Sequence, residues 1–253
     1  DHFDVTVDTQ TPTVGDTSSN YVTVTITAKD AYGNTITGYD PANVLNLTSP
    51  GATQGANIDW SGTDVTDNDD GTATISTAGN AFTNGVATVR LANTVAEGPV
   101  NAKVTESVGG QSGTSPDITW QPDSLDHFTF TAGPASGENV TVGTNYSVTI
   151  EARDQYENVV TGFTGTVDFS GSGVEGTGQV SGNFVNGVWN GTVEVVHTAA
   201  NNVVITATNS TGSESGDSNT FNAVVGSLDH FDVTVDTQTP TVGDTSSNYV
   251  TVT

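Results

Sequence analysis

Apolar and polar residues alternate along most of this chain with a period of two. Val22, Val24, Ile26 and Ala28 point to one side, and Thr23, Thr25, Thr27 and Lys29 to the other. Tyr146, Val148, Ile150 and Ala152 repeat the pattern. Shorter alternations run through Val100, Ala102 and Val104 and through Val203, Ile205 and Ala207. Successive side chains on a strand face opposite sides, so alternation rich in Thr and Val predicts half-buried antiparallel strands. Helical periodicity is nowhere sustained. Clusters of Gly, Pro, Asn and Asp separate the runs, which makes the expected fold all-β, built of antiparallel sandwiches of about 100 residues each.

A repeat sets the organisation. Residues 1–25, DHFDVTVDTQTPTVGDTSSNYVTVT, return without a change as residues 229–253, an offset of 229 − 1 = 228. Self-similarity at a fixed period marks a repeat architecture. The triplet Asp-His-Phe also occurs at Asp126, which divides the chain into units 1–125 and 126–228 and an opening segment 229–253. The two units align at three places: Phe3 with Phe128, the stretch Lys29–Tyr39 with Arg153–Phe163, and Phe82–Val86 with Phe184–Val188. The last of these contains Asn84-Gly85 and Asn186-Gly187, which predict hairpins with type I′ turns. An insertion at about 52–80 lengthens the first unit and carries Trp60 and the acidic run Asp64–Asp70, expected to be a solvated hairpin loop.

Charge narrows the range of partners. Four Lys and Arg stand against 29 Asp and Glu, for a net charge of −25. Nucleic acid and anionic membrane surfaces require a basic footprint and are disfavoured. No apolar run is long enough to insert directly into a membrane, and no signal peptide is visible. With no cysteine, disulfides and thiolate metal sites are excluded. Stability must come from the core and from any bound ions.

Candidate chemistry is sparse. The turns Asp30/Asn34 and Asp154/Asn158 are expected to be Asx-type, with the carboxylate accepting backbone N–H groups and Tyr32 and Tyr156 covering one end of each core. Glu157 stands where the first turn has Gly33, which argues against a strict backbone requirement there. Asp64, Asp67, Asp69 and Asp70 form the densest carboxylate cluster and the best candidate for Ca²⁺, although the full helix–loop–helix calcium pattern is missing. Asp123 and Asp126, in the short junction between units, are a second candidate for a shared cation. Such a brief linker implies semi-rigid neighbours. His2, His127 and His230 recur at one position and fit a structural role, and His197 is alone. No nucleophile is paired with a base and an orienting group, so no enzyme activity is expected. Asn46, Asn139, Asn145, Asn190 and Asn209 head glycosylation acceptor triplets. Trp60, Trp120 and Trp189 are expected in the core or at junctions rather than as sugar-stacking platforms.

The Asp-His-Phe opening, the Asp-x-Tyr-x-Asn-x-x-Thr-Gly-aromatic turn and the closing alternating strand resemble the bacterial immunoglobulin-like repeats of large surface proteins. These include invasin- and intimin-type adhesins and giant repetitive adhesins. The resemblance spans both units. It implies tandem immunoglobulin-like sandwiches strung as spacers at the cell surface or in the extracellular space, with adhesive residues in other domains. A Lys–Asn isopeptide lock of the kind found in Gram-positive pilin sandwiches is not expected in both units, because Arg153 stands where the first unit has Lys29, and the only other lysine, Lys103, leaves at most a lock in the first unit. The expected role is a structural repeat unit of an extracellular fibre, stalk or filament whose partners are other copies of itself, with strand complementation between subunits as one way of joining. The alternative is an adhesin segment that binds glycan or another cell surface through its loops.

Overall fold

The computed structural model describes residues 1–77, 79–242 and 250–253. Among them every regular element is a strand. The first unit contains β1 (His2–Val7), β2 (Val22–Lys29), β3 (Leu45–Thr48), β4 (Ile58–Gly62), β5 (Val65–Asp67), β6 (Thr72–Ile75), β7 (Phe82–Thr83), β8 (Val86–Asn93), β9 (Lys103–Glu106) and β10 (Ser112–Thr114). One sheet runs β1-β2-β8-β4 with β7 folded against β8, and the facing sheet runs β10-β9-β3-β6-β5. The second unit contains β11 (His127–Ala132), β12 (Asn139–Thr141), β13 (Asn145–Arg153), β14 (Val167–Ser170), β15 (Gln179–Val180), β16 (Val188–Glu194), β17 (Ala200–Val203), β18 (Thr206–Asn209), β19 (Ser215–Asp217) and β20 (Phe221–Val224). Its sheets are β11-β13-β16, β15-β14-β18-β19 and β12-β20-β17.

The order β1-β2-β8-β4 against β10-β9-β3 matches the ABED and GFC sheets of the immunoglobulin sandwich, and the second unit repeats it as β11-β13-β16 against β19-β18-β14, without a strand in the place of β4. The alternating residues are those that fill the cores. Val22, Val24, Ile26 and Ala28 are buried on β2, as are Val148, Ile150 and Ala152 on β13. Both Asn-Gly turns hold positive φ at the two central residues, 53° and 80° at Asn84 and Gly85 and 51° and 75° at Asn186 and Gly187. These are the values that a type I′ turn needs.

The insertion does more than form a loop. Ile58–Gly62 pairs with β8 as an edge strand, and Trp60 is 2% exposed within the core. In the second unit this strand shrinks to the single bridge Val174↔Val195. The acidic run lies in a hairpin, as expected, but only residues 68–71 are its loop: Val65–Asp67 is strand β5 and pairs with Ala73–Ile75. Alternation of Val65, Thr66 and Asp67 beside a sheet edge outweighs the charge.

The three aligned sequence blocks converge in space. Phe3, Tyr39 and Phe82 form an aromatic chain in the first sandwich, with edge-to-face contacts of 5.6 and 4.9 Å between ring centroids. Phe128, Phe163 and Phe184 occupy the same places in the second, all within 5.6 Å of one another. The Tyr39 hydroxyl is buried without a hydrogen-bond partner. Desolvation, followed by the Glu106 and Asp40 charges, pushes its pKa up to about 12. A buried orphan hydroxyl costs stability. Tyr39→Phe, which copies the second unit, is therefore expected to leave stability unchanged or raise it by about 1 kcal/mol. Urea unfolding checks this, and a loss above that size would contradict it.

The repeated segment 229–253 shows what context does to identical residues. Its described part keeps only the bridge Val235↔Val252, in the register of Val7↔Val24 in the first unit. Phe3 and Val5 are 4% and 6% exposed, whereas Phe231 and Val233 are 79% and 68% exposed.

Candidate functional site

The most elaborate polar arrangement in the molecule lies between the two sandwiches. Strand β13 ends at Arg153 and runs into the turn Asp154–Asn158, which faces the first unit. Asp154 is fully buried. Its Oδ1 accepts the backbone N–H groups of Tyr156 and Asn158, each at 2.9 Å. Its Oδ2 accepts the N–H of Asp123 in the linker at 2.9 Å. Asn158 bridges the two units. Its Oδ1 accepts the Ala96 N–H at 2.8 Å, and its Nδ2 donates to the Thr94 carbonyl at 2.9 Å. Gln155 Nε2 donates to Asp123 Oδ2 at 2.9 Å.

Tyr156 completes the junction. It was expected to cap its own core, but it packs against the core cluster of the first sandwich. Glu157 keeps φ at +68°, matching +83° at Gly33, so the left-handed backbone requirement survives the replacement. His127 Nε2 lies 3.5 Å from Glu157 Oε1, and the Arg153 guanidinium donates to the Glu157 carbonyl. These contacts hold a residue that pays a conformational penalty in this region.

The turn in the first unit has the same internal geometry and, among the described residues, nothing docked on it. Asp30 Oδ1 accepts the N–H groups of Tyr32 at 2.9 Å and Asn34 at 2.8 Å, and Asn34 Nδ2 donates to Oδ2 at 2.9 Å. The Asn34 side chain, followed by its backbone N–H, holds the Asp30 carboxyl below its ordinary pKa. Tyr32 stands 91% exposed rather than over the core.

Backbone and hydroxyl donors engage three of the four carboxylates singled out as calcium candidates, Asp64, Asp67 and Asp70. Asp64 Oδ2 accepts the Asn80 N–H, Asp67 accepts those of Trp60 and Asp69, and Asp70 accepts the N–H and hydroxyl of Thr72. Asp123 is engaged as described above, and Asp126 pairs with His127 at 3.0 Å. Among the described residues, no three His, Asp or Glu side chains gather as a metal-binding set. Asp59 comes beside Asp67 instead, and itself accepts the N–H and hydroxyl of Thr17 at 3.0 and 2.7 Å.

Burial raises the Asp67 pKa above the ordinary 3.8, the Trp60 and Asp69 N–H groups oppose the rise, and the Asp59 carboxyl adds to it. The folded state therefore binds this proton more tightly than the unfolded chain does. The resulting stability is present in acid and is lost as pH climbs from about the ordinary value through the raised one. Asp67→Asn removes that loss, so the stability of the variant relative to the parent is expected to increase with pH across this window. Denaturation midpoints of both proteins between pH 3 and 7 check it, and a flat or falling difference would contradict it.

The acceptor residues Asn46, Asn139, Asn145 and Asn190 are exposed, and Asn209 is half-buried with its amide donating to Glu214. Trp60 and Trp120 are core residues, and Trp189 packs half-buried against the second core. Two shallow depressions of about 490 and 510 Å³ meet at Tyr21 and Thr23 on the outer sheet face. Thr and Ser side chains line much of them, and the one guanidinium there, Arg90, stacks 4.3 Å from the centre of the Tyr21 ring.

No protein-family model matches the chain, and no characterised protein sequence matches it. Among solved structures it is similar to FdeC, an adhesin of Escherichia coli. Identity is 22% and the TM-score 0.46, over 95% of this chain and 69% of that one. It is also similar to domains 4–9 of the surface layer protein SbsC. There identity is 18% and the TM-score 0.30, over 94% of this chain and 32% of that one.

Sequence reading located the Asp154/Asn158 turn and missed what it touches. Thr94 and Ala96 take part through backbone groups, which leave no trace in side-chain identity. A signal was available in the brevity of the linker, which forces the opening turn of one unit close to the closing loops of the other.

Proposed function

We propose that this chain is a structural repeat segment of an extracellular fibre, stalk or filament, composed of tandem immunoglobulin-like sandwiches and without catalytic activity. The observation that carries this reading is the return of residues 1–25 after 228 residues, in phase with a two-sandwich period. The clamp of Asp154, Asn158 and Asp123 supports it, because a junction with several half-buried hydrogen bonds resists bending. Its role is mechanical: each sandwich adds length, and the net charge of −25 keeps the surface hydrated and self-repelling.

An adhesive role for the insertion would call for exposed aromatic side chains there. The only aromatic residue between 52 and 80 is Trp60, and it is buried. The fibre reading is tested by the mass of native material under fully denaturing conditions. Masses of several 228-residue periods are expected. A mass near 25.8 kDa would overturn the covalent array.

A further inference from the structure

We infer that the Asp30–Asn34 turn is a docking element, and that its receptor is the far end of the second sandwich in the copy of this chain that precedes it. The inference rests on the tandem-array reading and names the surface by which one period would join the next.

The first support is the junction already present. The turn Asp154–Asn158 docks through three features: a carboxylate that accepts a linker N–H, an asparagine that reaches the preceding loop, and a tyrosine laid on the preceding core. The Asp30–Asn34 turn carries all three residues in the same internal hydrogen-bond pattern. In the described chain these groups face solvent. Tyr32 is 91% exposed, and Asn34 bonds only within its own turn. Large exposed aromatics next to preformed polar groups are typical anchors of interfaces.

The second support is the receiving end. Asp123 meets the carboxylate of the docked turn through its backbone N–H, and within that turn its side chain meets only Gln155, whose counterpart in the Asp30 turn is Ala31 and needs no acceptor. Counting back from Asp-His-Phe, the corresponding residue at the end of the second unit is Gly226, which has the same donor. The loop that corresponds to Thr94–Glu97 follows β16 and includes the exposed residues His197, Thr198 and Ala199. Leu125 packs against the second core, while its counterpart Leu228 is 73% exposed. Both halves of the junction are therefore displayed at opposite ends of one period, and on the tandem-array reading the next period supplies the Asp30-type turn that follows Gly226.

Two head-to-tail copies of residues 1–228 in one chain would contain one internal and one terminal Asp30 turn. With Tyr32→Phe in the first copy, only the internal Tyr32 remains, and hydroxyl-radical footprinting reads it on its own peptide. Its modification rate is expected to fall several-fold below that of Tyr32 in residues 1–253, to about the rate of Tyr156. Asn34→Ala in the second copy should restore the exposed rate while far-ultraviolet circular dichroism stays unchanged. An internal Tyr32 modified as fast as Tyr32 in residues 1–253 would overturn the docking. If native material has a multi-period mass and the internal Tyr32 is unprotected, docking alone fails. If Tyr32 is protected but native chains are single periods, docking stands and the covalent array fails.

Discussion

Replacing Asp154 with alanine is expected to cost the second sandwich about 3 kcal/mol and to free the two units from one another. The carboxylate is fully buried and accepts the N–H groups of Tyr156, Asn158 and Asp123 as well as the Asn158 amide. Removing the acceptor leaves several half-buried donors without a partner, and a fully buried orphan costs roughly 1–3 kcal/mol. The loss is partly offset where the loosened turn admits solvent. Asn158→Ala separates the two roles, because it leaves Asp154 with its backbone donors and cuts the contacts to Thr94 and Ala96. Its stability cost should be about 1 kcal/mol, while small-angle scattering of both variants should show a broader range of inter-unit angles than the parent. Denaturant titration measures the first effect. A loss below about 0.5 kcal/mol for Asp154→Ala, the ordinary scatter for a surface change, would show that the turn contributes nothing specific.

Phe184→Ala is expected to lower the stability of the same sandwich by about 3–5 kcal/mol, the range for deleting a fully buried phenylalanine. The ring is 1% exposed and lies between Phe163 and Phe128, at 5.1 and 5.6 Å. The hairpin at Asn186–Gly187 ties the Phe184 segment directly to β16, which limits how far that segment can collapse into the space. The equivalent Phe82 is only half-buried and touches Tyr39 at 4.9 Å. Phe82→Ala should therefore cost the first sandwich less. Urea or guanidinium midpoints compare the two, and equal losses would show that the aromatic clusters are not graded by burial.

Much of the fold was legible because it depends on local rules. A period of two on β2 and β13 identified the buried faces, and two Asn-Gly pairs identified hairpins whose φ values require residues of that kind. Blocks at Phe3, Tyr39 and Phe82 aligned with Phe128, Phe163 and Phe184 without any indication that the three meet. That convergence brings residues from separate strands and loops together, and no spacing rule along a chain encodes it. At Asp64–Asp70 the sequence shows four neighbouring carboxylates, and only the fold shows that three of them, Asp64, Asp67 and Asp70, accept backbone N–H groups, because each N–H group that turns inward needs an acceptor.

Sequence by itself determined the strands, the repeat of 228 residues and the Asx turns, since alternation, identity and side-chain-to-backbone hydrogen bonds within a few residues are local properties. Tertiary structure alone decided how the same residues are used. Tyr32 and Tyr156 sit in turns of one design, yet one is in solvent and the other lies on a neighbouring core. Phe3 and Phe231 sit in identical 25-residue segments, one at 4% exposure beneath a facing sheet and the other at 79%. Burial is the removal of a surface from water by atoms elsewhere in the chain, so a segment carries its half of the contact and the partner decides whether that contact exists.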